Sequence, residues 1–194
     1  MMACERSEIG AGVRKGEQGF SLIEVLISTV VLTVGLVGLL GIFATAIAAT
    51  QTAQQDLIAK QLASEAMESI FTARNTSQLQ WLQIQNIGAG TNPDGIFVQG
   101  FQPINNPGPD GLIGTADDAN AGAATLQLPG PDGIVGTADD PPPMQLTNYQ
   151  RQIAITPIAN TLTLRTVTIT VRYTTPQLAL PKTYVLSGYI STYR

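Results

Sequence analysis

The sequence has no histidine among its 194 residues, and its single cysteine is Cys4, near the start of the chain. The absence of imidazole excludes Ser-His-Asp catalysis and histidine-ligated metal sites, and one thiol cannot form an intramolecular disulfide. Charge is also sparse: charged residues make up 12% of the chain, and the formal net charge is −4. Because nucleic-acid-binding proteins carry a basic face or stripe, we do not expect nucleic acid as a partner.

The N-terminal part of the chain contains two segments of opposite character. Residues 1–19 are polar and mixed in charge, and nothing in them can pack a core. From Phe20 to Ala49 the only charged residue is Glu24. Since about 20 apolar residues suffice for a helix to cross a bilayer, the sequence predicts one membrane-spanning helix over about 20–49, with a leader before it.

The helix is expected to continue beyond the membrane. Residues 51–74 contain neither glycine nor proline and are rich in Ala, Gln, Leu, Glu and Lys, which are good helix formers. Apolar residues at i, i+4 spacing form one stripe: Ile58, Leu62, Ala66 and Ile70. Such a stripe packs against another element, so we expect a helix from Phe20 to about Arg74 whose second half lies on the head of the protein.

Three C-terminal segments have the alternating polarity and the Thr, Val, Ile and Tyr content of strands: 149–156, 161–173 and 183–193. Within the second segment, the apolar residues change phase after Leu164, which predicts a β-bulge near Arg165-Thr166. The expected fold is therefore α+β, with the long helix packed on an antiparallel sheet of three or four strands over 149–194.

The region 75–148, between helix and sheet, is dense in Gly, Pro, Asn and Asp and is expected to be irregular. It contains an internal repeat. Residues 107–118 read PGPDGLIGTADD and residues 129–140 read PGPDGIVGTADD, with ten of twelve positions identical at a spacing of 22. Two copies are too few for a solenoid, which needs about three repeats to bury a core. The two copies are called repeat 1 and repeat 2 below.

The aspartates of the repeats are candidate calcium ligands: Asp110, Asp117 and Asp118 in repeat 1, and Asp132, Asp139 and Asp140 in repeat 2. Calcium takes six to eight oxygen ligands, and the glycines let each loop curl around an ion. The alternative is turn formation, because Pro-Asp-Gly favours a turn without any metal. Adjacent aspartates are poorly placed for acid/base catalysis across a cleft. We therefore expect no enzymatic activity and no required cofactor, with calcium as the one ion that the sequence suggests.

Glu24 lies four residues into the apolar segment, where a carboxylate is costly. Insertion scales put an acidic residue near the membrane centre at about 2.5–3.5 kcal/mol, and Glu24 lies nearer the end of the span. Cleavage between Gly19 and Phe20 would create an α-amino group one helical turn away. In a bundle of identical helices, that amine can pair with Glu24 of a neighbour only at the right axial offset. Glu24 is therefore a candidate assembly residue.

The sequence GFSLIEVLI, after a polar leader containing Arg14-Lys15, resembles the class III signal of type IV prepilins and type II secretion pseudopilins. The next residues, VVLTVGLVGLLGIF, resemble PilV-type minor pilins and minor pseudopilins. The resemblance covers roughly residues 14–50. It implies cleavage after Gly19 by a prepilin peptidase, N-methylation of Phe20 and an assembly role for Glu24.

The resemblance predicts a minor pilin: a structural subunit of a type IV pilus, assembled with other pilins by an inner-membrane platform. The precursor would be a single-pass protein of the cytoplasmic membrane with an extracytoplasmic head, and the product would reach a pilus or the cell surface. Two alternatives stay open. One is a minor pseudopilin in the periplasmic pseudopilus of a type II secretion system. The other is an uncleaved, membrane-anchored protein with a calcium-binding or adhesive head.

Overall fold

The computed structural model describes residues 19–89, 94–175 and 180–193, so most of the predicted leader lies outside the described residues. The chain divides into two units, Met1–Ile47 and Ala48–Arg194. Helix α1, Leu22–Asn75, contributes to both. The surface of α1 differs between the two units: it is exposed on all sides in the first, and part of it is buried in the second.

In the N-terminal unit, every described residue is exposed in the single chain. Most of these residues are large and apolar, including Leu26, Val31, Leu40 and Ile47. Within the described ranges, α1 is the one helix that is long and apolar enough to cross a membrane. A continuous apolar surface of this size is unstable in water, so this half of α1 requires lipid or other helices around it.

In the C-terminal unit, α1 buries a single stripe. The buried positions combine the predicted stripe with small residues next to it: Ile58, Ala59, Leu62, Ala63, Ala66, Ile70 and Ala73. They form one hydrophobic core with the inward residues of the sheet, among them Val167, Ile169 and Val171. The alanines allow a close approach, and the side chains of Met67 and Phe71 lie over Gly188. The predicted α+β architecture, a long helix on an antiparallel sheet, is confirmed.

Within the residues that the structure describes, six strands form two antiparallel sheets. Their bounds are β1 Gln102–Pro103, β2 Thr125–Leu126, β3 Met144–Gln145, β4 Tyr149–Pro157, β5 Leu164–Tyr173 and β6 Lys182–Ser191. The main sheet has the order β1-β4-β5-β6, and β2 pairs with β3. Two short 3₁₀ helices, Trp81–Gln83 and Ala116–Asn120, lie in the region that was expected to be irregular.

The predicted bulge near Arg165-Thr166 is wrong. Both ladders of β5 run without interruption, from Arg165 opposite Pro157 to Tyr173 opposite Tyr149, and from Leu164 opposite Ser191 to Tyr173 opposite Lys182. The apolar phase changes because Arg165 occupies an inward position and is buried. Its Nη1 donates to the carbonyl oxygens of Trp81 at 2.6 Å and Ile84 at 2.5 Å, and its guanidinium stacks on the Trp81 ring.

One edge of the main sheet is covered by a side chain. β1 pairs with only two residues of β4. Farther along, the buried Asn86 donates its Nδ2 to the carbonyl oxygen of Ile153 at 2.8 Å. Its Oδ1 accepts the backbone N–H of Ile155, also at 2.8 Å. The amide of Asn86 thus takes the place of a neighbouring strand, and it satisfies backbone groups that would otherwise be left unpaired at a sheet edge.

A polar contact joins α1 to the end of the sheet. Lys182 Nζ donates to both carboxylate oxygens of Asp56, at 2.8 and 3.0 Å, and the Tyr173 hydroxyl also donates to this carboxylate. The Lys182 ammonium and the Tyr173 hydroxyl hold the pKa of Asp56 below its ordinary value of 3.8. About half of the Asp56 side chain is exposed, so solvent screens the ion pair and reduces its contribution to stability.

We predict that Asp56→Asn lowers the free energy of unfolding of the head by about 0.5–1 kcal/mol at neutral pH, because the substitution removes an exposed ion pair. The folded pKa of Asp56 lies below the unfolded value, so its stabilisation is complete above pH 3.8 and is lost as pH falls through the folded pKa. The measurement is urea unfolding of the full chain in detergent micelles, followed by fluorescence of Trp81, the only tryptophan. Equal stabilities of the two proteins at pH 7 would contradict the prediction.

Candidate functional site

The predicted processing junction lies directly before α1. Gly19 and Phe20 precede the helix, and the Phe20 side chain is exposed. The carbonyl oxygen of Ser21 accepts the backbone N–H of Glu24 at 3.0 Å and that of Val25 at 3.2 Å. Glu24 therefore lies in the first turn, where the free N–H groups of a helix favour a negative charge. Glu24 is the fourth residue after Phe20, and residues 19–21 lie before the helix.

The two repeats fold locally in the same way. In repeat 1, Asp118 accepts the N–H of Gly108 at 2.9 Å and that of Gly114 at 2.6 Å. Asp117 accepts the Thr115 hydroxyl at 2.6 Å and the N–H of Asp110 at 3.3 Å. Each carboxylate thereby closes the loop onto its own backbone.

Repeat 2 makes the equivalent bonds. Asp140 accepts the N–H of Gly130 at 2.8 Å and that of Gly136 at 2.5 Å, and Asp139 accepts the Thr137 hydroxyl at 2.6 Å. Thr115 and Thr137 lower the pKa of Asp117 and Asp139, and the N–H of Gly136 lowers that of Asp140. These three carboxylates are therefore ionised at neutral pH.

The structure brings each predicted set of aspartates together. One oxygen from each of Asp110, Asp117 and Asp118 lies within 4.8 Å of the others, and Asp132, Asp139 and Asp140 form the same arrangement. Three carboxylates at this spacing supply part of the six to eight oxygens that calcium takes. Most of these oxygens also accept hydrogen bonds from the loop backbone, so the same geometry serves the turn alternative.

The surroundings of the two repeats differ. Leu112 and Ile113 of repeat 1 are buried in the core, with 4% and 6% of their surface exposed. The equivalent Ile134 and Val135 of repeat 2 are 61% and 56% exposed. The sequence gives no indication of this difference, because the repeats differ only by exchanges among Leu, Ile and Val.

A buried cation lies beside repeat 1. Arg151 is 6% exposed, and its Nη1 donates to the carbonyl oxygen of Leu62 at 3.4 Å. Burial lowers the pKa of Arg151, while the charges of Glu65 and Asp118 oppose that shift. Repeat 1 thus packs an apolar pair into the core and directs an aspartate toward a guanidinium. The alternating pattern of β4 did not single out Arg151, because its role depends on the helix and the repeat that pack around it.

The prokaryotic N-terminal methylation motif matches residues 14–40. That motif supports a type IV pilin-like or pseudopilin-like subunit. The matched residues contain Gly19, Phe20 and Glu24, together with the first half of the exposed apolar helix. No curated protein and no solved structure shows significant similarity to the chain.

Two glycines of the repeats form a matched pair for testing how repeat 1 is packed. Gly114 and Gly136 have φ values of +91° and +94°, but only Gly114 lies against the core, where the side chain of Ile153 would meet an added Cβ. We predict that Gly114→Ala lowers the free energy of unfolding by about 2–4 kcal/mol, since backbone strain and overpacking add together.

The control is Gly136→Ala, which introduces the same backbone strain in an exposed loop without the overpacking and should lower the free energy of unfolding by only about 1–2 kcal/mol. Urea unfolding of both full-length variants in detergent micelles makes the comparison. Equal losses of stability would show that repeat 1 is not packed on the core as described.

Proposed function

We propose that the chain is a minor pilin, a structural subunit that is processed by prepilin peptidase and assembled into a type IV pilus through its N-terminal helix. The observation that carries this proposal is the methylation motif at residues 14–40, which ends within an exposed apolar helix. The role is structural and not catalytic, and its partners are the peptidase, the inner-membrane assembly platform and other pilins.

The chemistry of the junction supports cleavage between Gly19 and Phe20. Removal of residues 1–19 leaves a positive α-amino group on Phe20, four residues before Glu24 in the sequence. In a low-dielectric bundle of helices, an unpaired carboxylate is strongly unfavourable. Pairing with the amine of a neighbouring subunit relieves that cost. The apolar helix surfaces then contribute packing contacts within the bundle, while Glu24 selects one axial offset.

The rest of the chain is consistent with a subunit that is held by its helix. In the C-terminal unit, α1 is fixed to the sheet by its apolar stripe and by the contact of Asp56 with Lys182. The C-terminal part of α1 and the sheet therefore form one packed unit. A minor pseudopilin of a type II secretion system would share this processing and is the second candidate. An anchored protein with an adhesive or calcium-binding head is the third, and it requires that residues 1–19 are retained.

The first experiment is mass spectrometry of the intact chain and its N-terminal peptide, on protein isolated from its native membranes or surface fibres. We expect an N-terminus at Phe20 that carries one added methyl group. A mature protein that still contains residues 1–19 would overturn the proposed processing and favour the anchored-head alternative.

A second prediction separates assembly from processing. Glu24→Gln should be cleaved normally but should enter fibres at least about tenfold less, because the Phe20 amine loses its ionic partner in the bundle. Glu24→Asp is the matched control, since it keeps the charge and should retain part of the incorporation. The readout is the amount of each variant in sheared fibres relative to membranes. Full incorporation of the glutamine variant would contradict the assembly role.

We propose in addition that each repeat binds one calcium ion, supported by the identical arrangement of three carboxylates in both loops. Asp110 and Asp132 accept the N–H of Leu112 and Ile134 through Oδ1, each at 2.8 Å. Asparagine keeps that acceptor and removes the charge.

Titration calorimetry of the full chain in detergent micelles should show two calcium ions per chain, and the double variant Asp110→Asn, Asp132→Asn should lose them. The absence of heat with the unaltered chain would leave the aspartates as turn residues.

A further inference from the structure

Repeat 2 presents an apolar pair on a loop that is already shaped. The N–H groups of Gly130, Gly136 and Thr137 bond to Asp140 and hold the loop closed. Ile134 and Val135 are nevertheless exposed. A rigid loop loses little conformational entropy when it binds. In repeat 1 the same loop is already docked, with its apolar pair in the core and Asp118 near the buried Arg151.

The docked repeat indicates what repeat 2 would bind: an apolar surface beside a cation. The head offers one such surface between α1 and the start of β6. It is a cleft of about 450 Å³, here called the lysine cleft, and its lining includes Ala53, Asp56, Leu57, Lys60, Lys182 and Tyr184. Leu57 is 64% exposed and supplies the apolar part.

The charges of the two surfaces are opposite. Repeat 2 carries three aspartates and no basic residue, so it stays negative even with one calcium ion bound. In the lysine cleft, Lys182 is paired with Asp56, whereas the exposed side-chain ammonium of Lys60 makes no hydrogen bond or ion pair within the described part of the chain. The whole chain has a net charge of −4, so two copies repel each other at long range. The lysine cleft is a place where that repulsion becomes attraction.

We propose that repeat 2 of one subunit docks into the lysine cleft of a second copy of the chain. Ile134 and Val135 would cover Leu57, and the aspartates would lie near Lys60. The two surfaces are different, so the contact is heterologous, and each subunit keeps one free surface of each kind. Such a contact propagates along an assembly instead of closing a dimer. The proposed pilin function supplies only the cellular setting of this contact, which does not require cleavage of the leader.

Cross-linking of full-length chains in detergent micelles tests the contact. In a Cys4→Ser background, which has no other cysteine, two differently tagged populations carry Val135→Cys and Leu57→Cys and are mixed under mild oxidation. We expect a disulfide between the two populations. The matched control replaces Leu57→Cys by Leu162→Cys, at a position that is 93% exposed and precedes the end of β5 opposite to the Tyr173 end that lines the cleft. It should cross-link about tenfold less if docking is specific.

A second cross-linking test changes the charge of Lys60. Lys60→Glu in the Leu57→Cys chain should lower the cross-linking yield about tenfold, because attraction becomes repulsion, and Lys60→Arg should retain it. Equal yields at Leu57 and Leu162, predominance of Val135–Val135 dimers or indifference to Lys60→Glu would each overturn the inference. These full-length chains retain residues 1–19, so the cross-link tests the contact alone. The processing is tested separately by the N-terminal mass of protein isolated from native membranes, and either result can fail without the other.

Discussion

The apolar surface of α1 is the constraint on which the rest of the structure depends. Between residues 19 and 47 it is exposed on all sides in the single chain, and farther along it narrows to a stripe that the sheet covers. Burial of apolar surface is the main favourable term in folding and association. The second half of α1 obtains this burial within its own chain, whereas the first half must obtain it from lipid or from other helices. A single carboxylate, Glu24, interrupts that first half. Because an unpaired carboxylate is unfavourable in an apolar environment, it favours surroundings that supply a positive partner.

The elements that could be predicted from the sequence are those whose signals are local. The long helix follows from composition and from the absence of helix breakers, and its buried face follows from the spacing of Ile58, Leu62, Ala66 and Ile70. The long strands follow from alternation, and β4 begins at Tyr149, where its pattern begins. The inward position of Arg165 could not be predicted from the local sequence. Its inward position is favourable only because Trp81 and Ile84, distant in sequence, offer carbonyl oxygens to its guanidinium.

In the candidate sites too, features with a local sequence signal could be predicted, and features that depend on distant residues could not. Pro-Asp-Gly and the paired aspartates predict two closed loops, and the structure shows two loops with equivalent hydrogen bonds. The exposure of Ile134 and Val135 has no local cause, because Leu112 and Ile113 are chemically alike and are buried. Only the neighbours differ: Arg151 and the side chains of Phe97 and Ile153 surround repeat 1. A repeated sequence therefore predicts a repeated local fold but not a repeated environment.

In the proposed assembly, the two units make different contributions to specificity. Apolar helices that leave lipid for a bundle gain packing contacts, but a uniformly apolar surface does not distinguish one rotation or axial position from another. The Phe20 amine and the Glu24 carboxylate select the axial position, because a misplaced carboxylate remains unpaired in an apolar environment. Within the C-terminal unit, the stripe and the Asp56 contact hold α1 on the sheet, so the head offers surfaces for contacts away from the helix axis. Docking between unlike surfaces of two heads would add a second heterologous contact, independent of the helices, in which each head keeps one free surface of each kind.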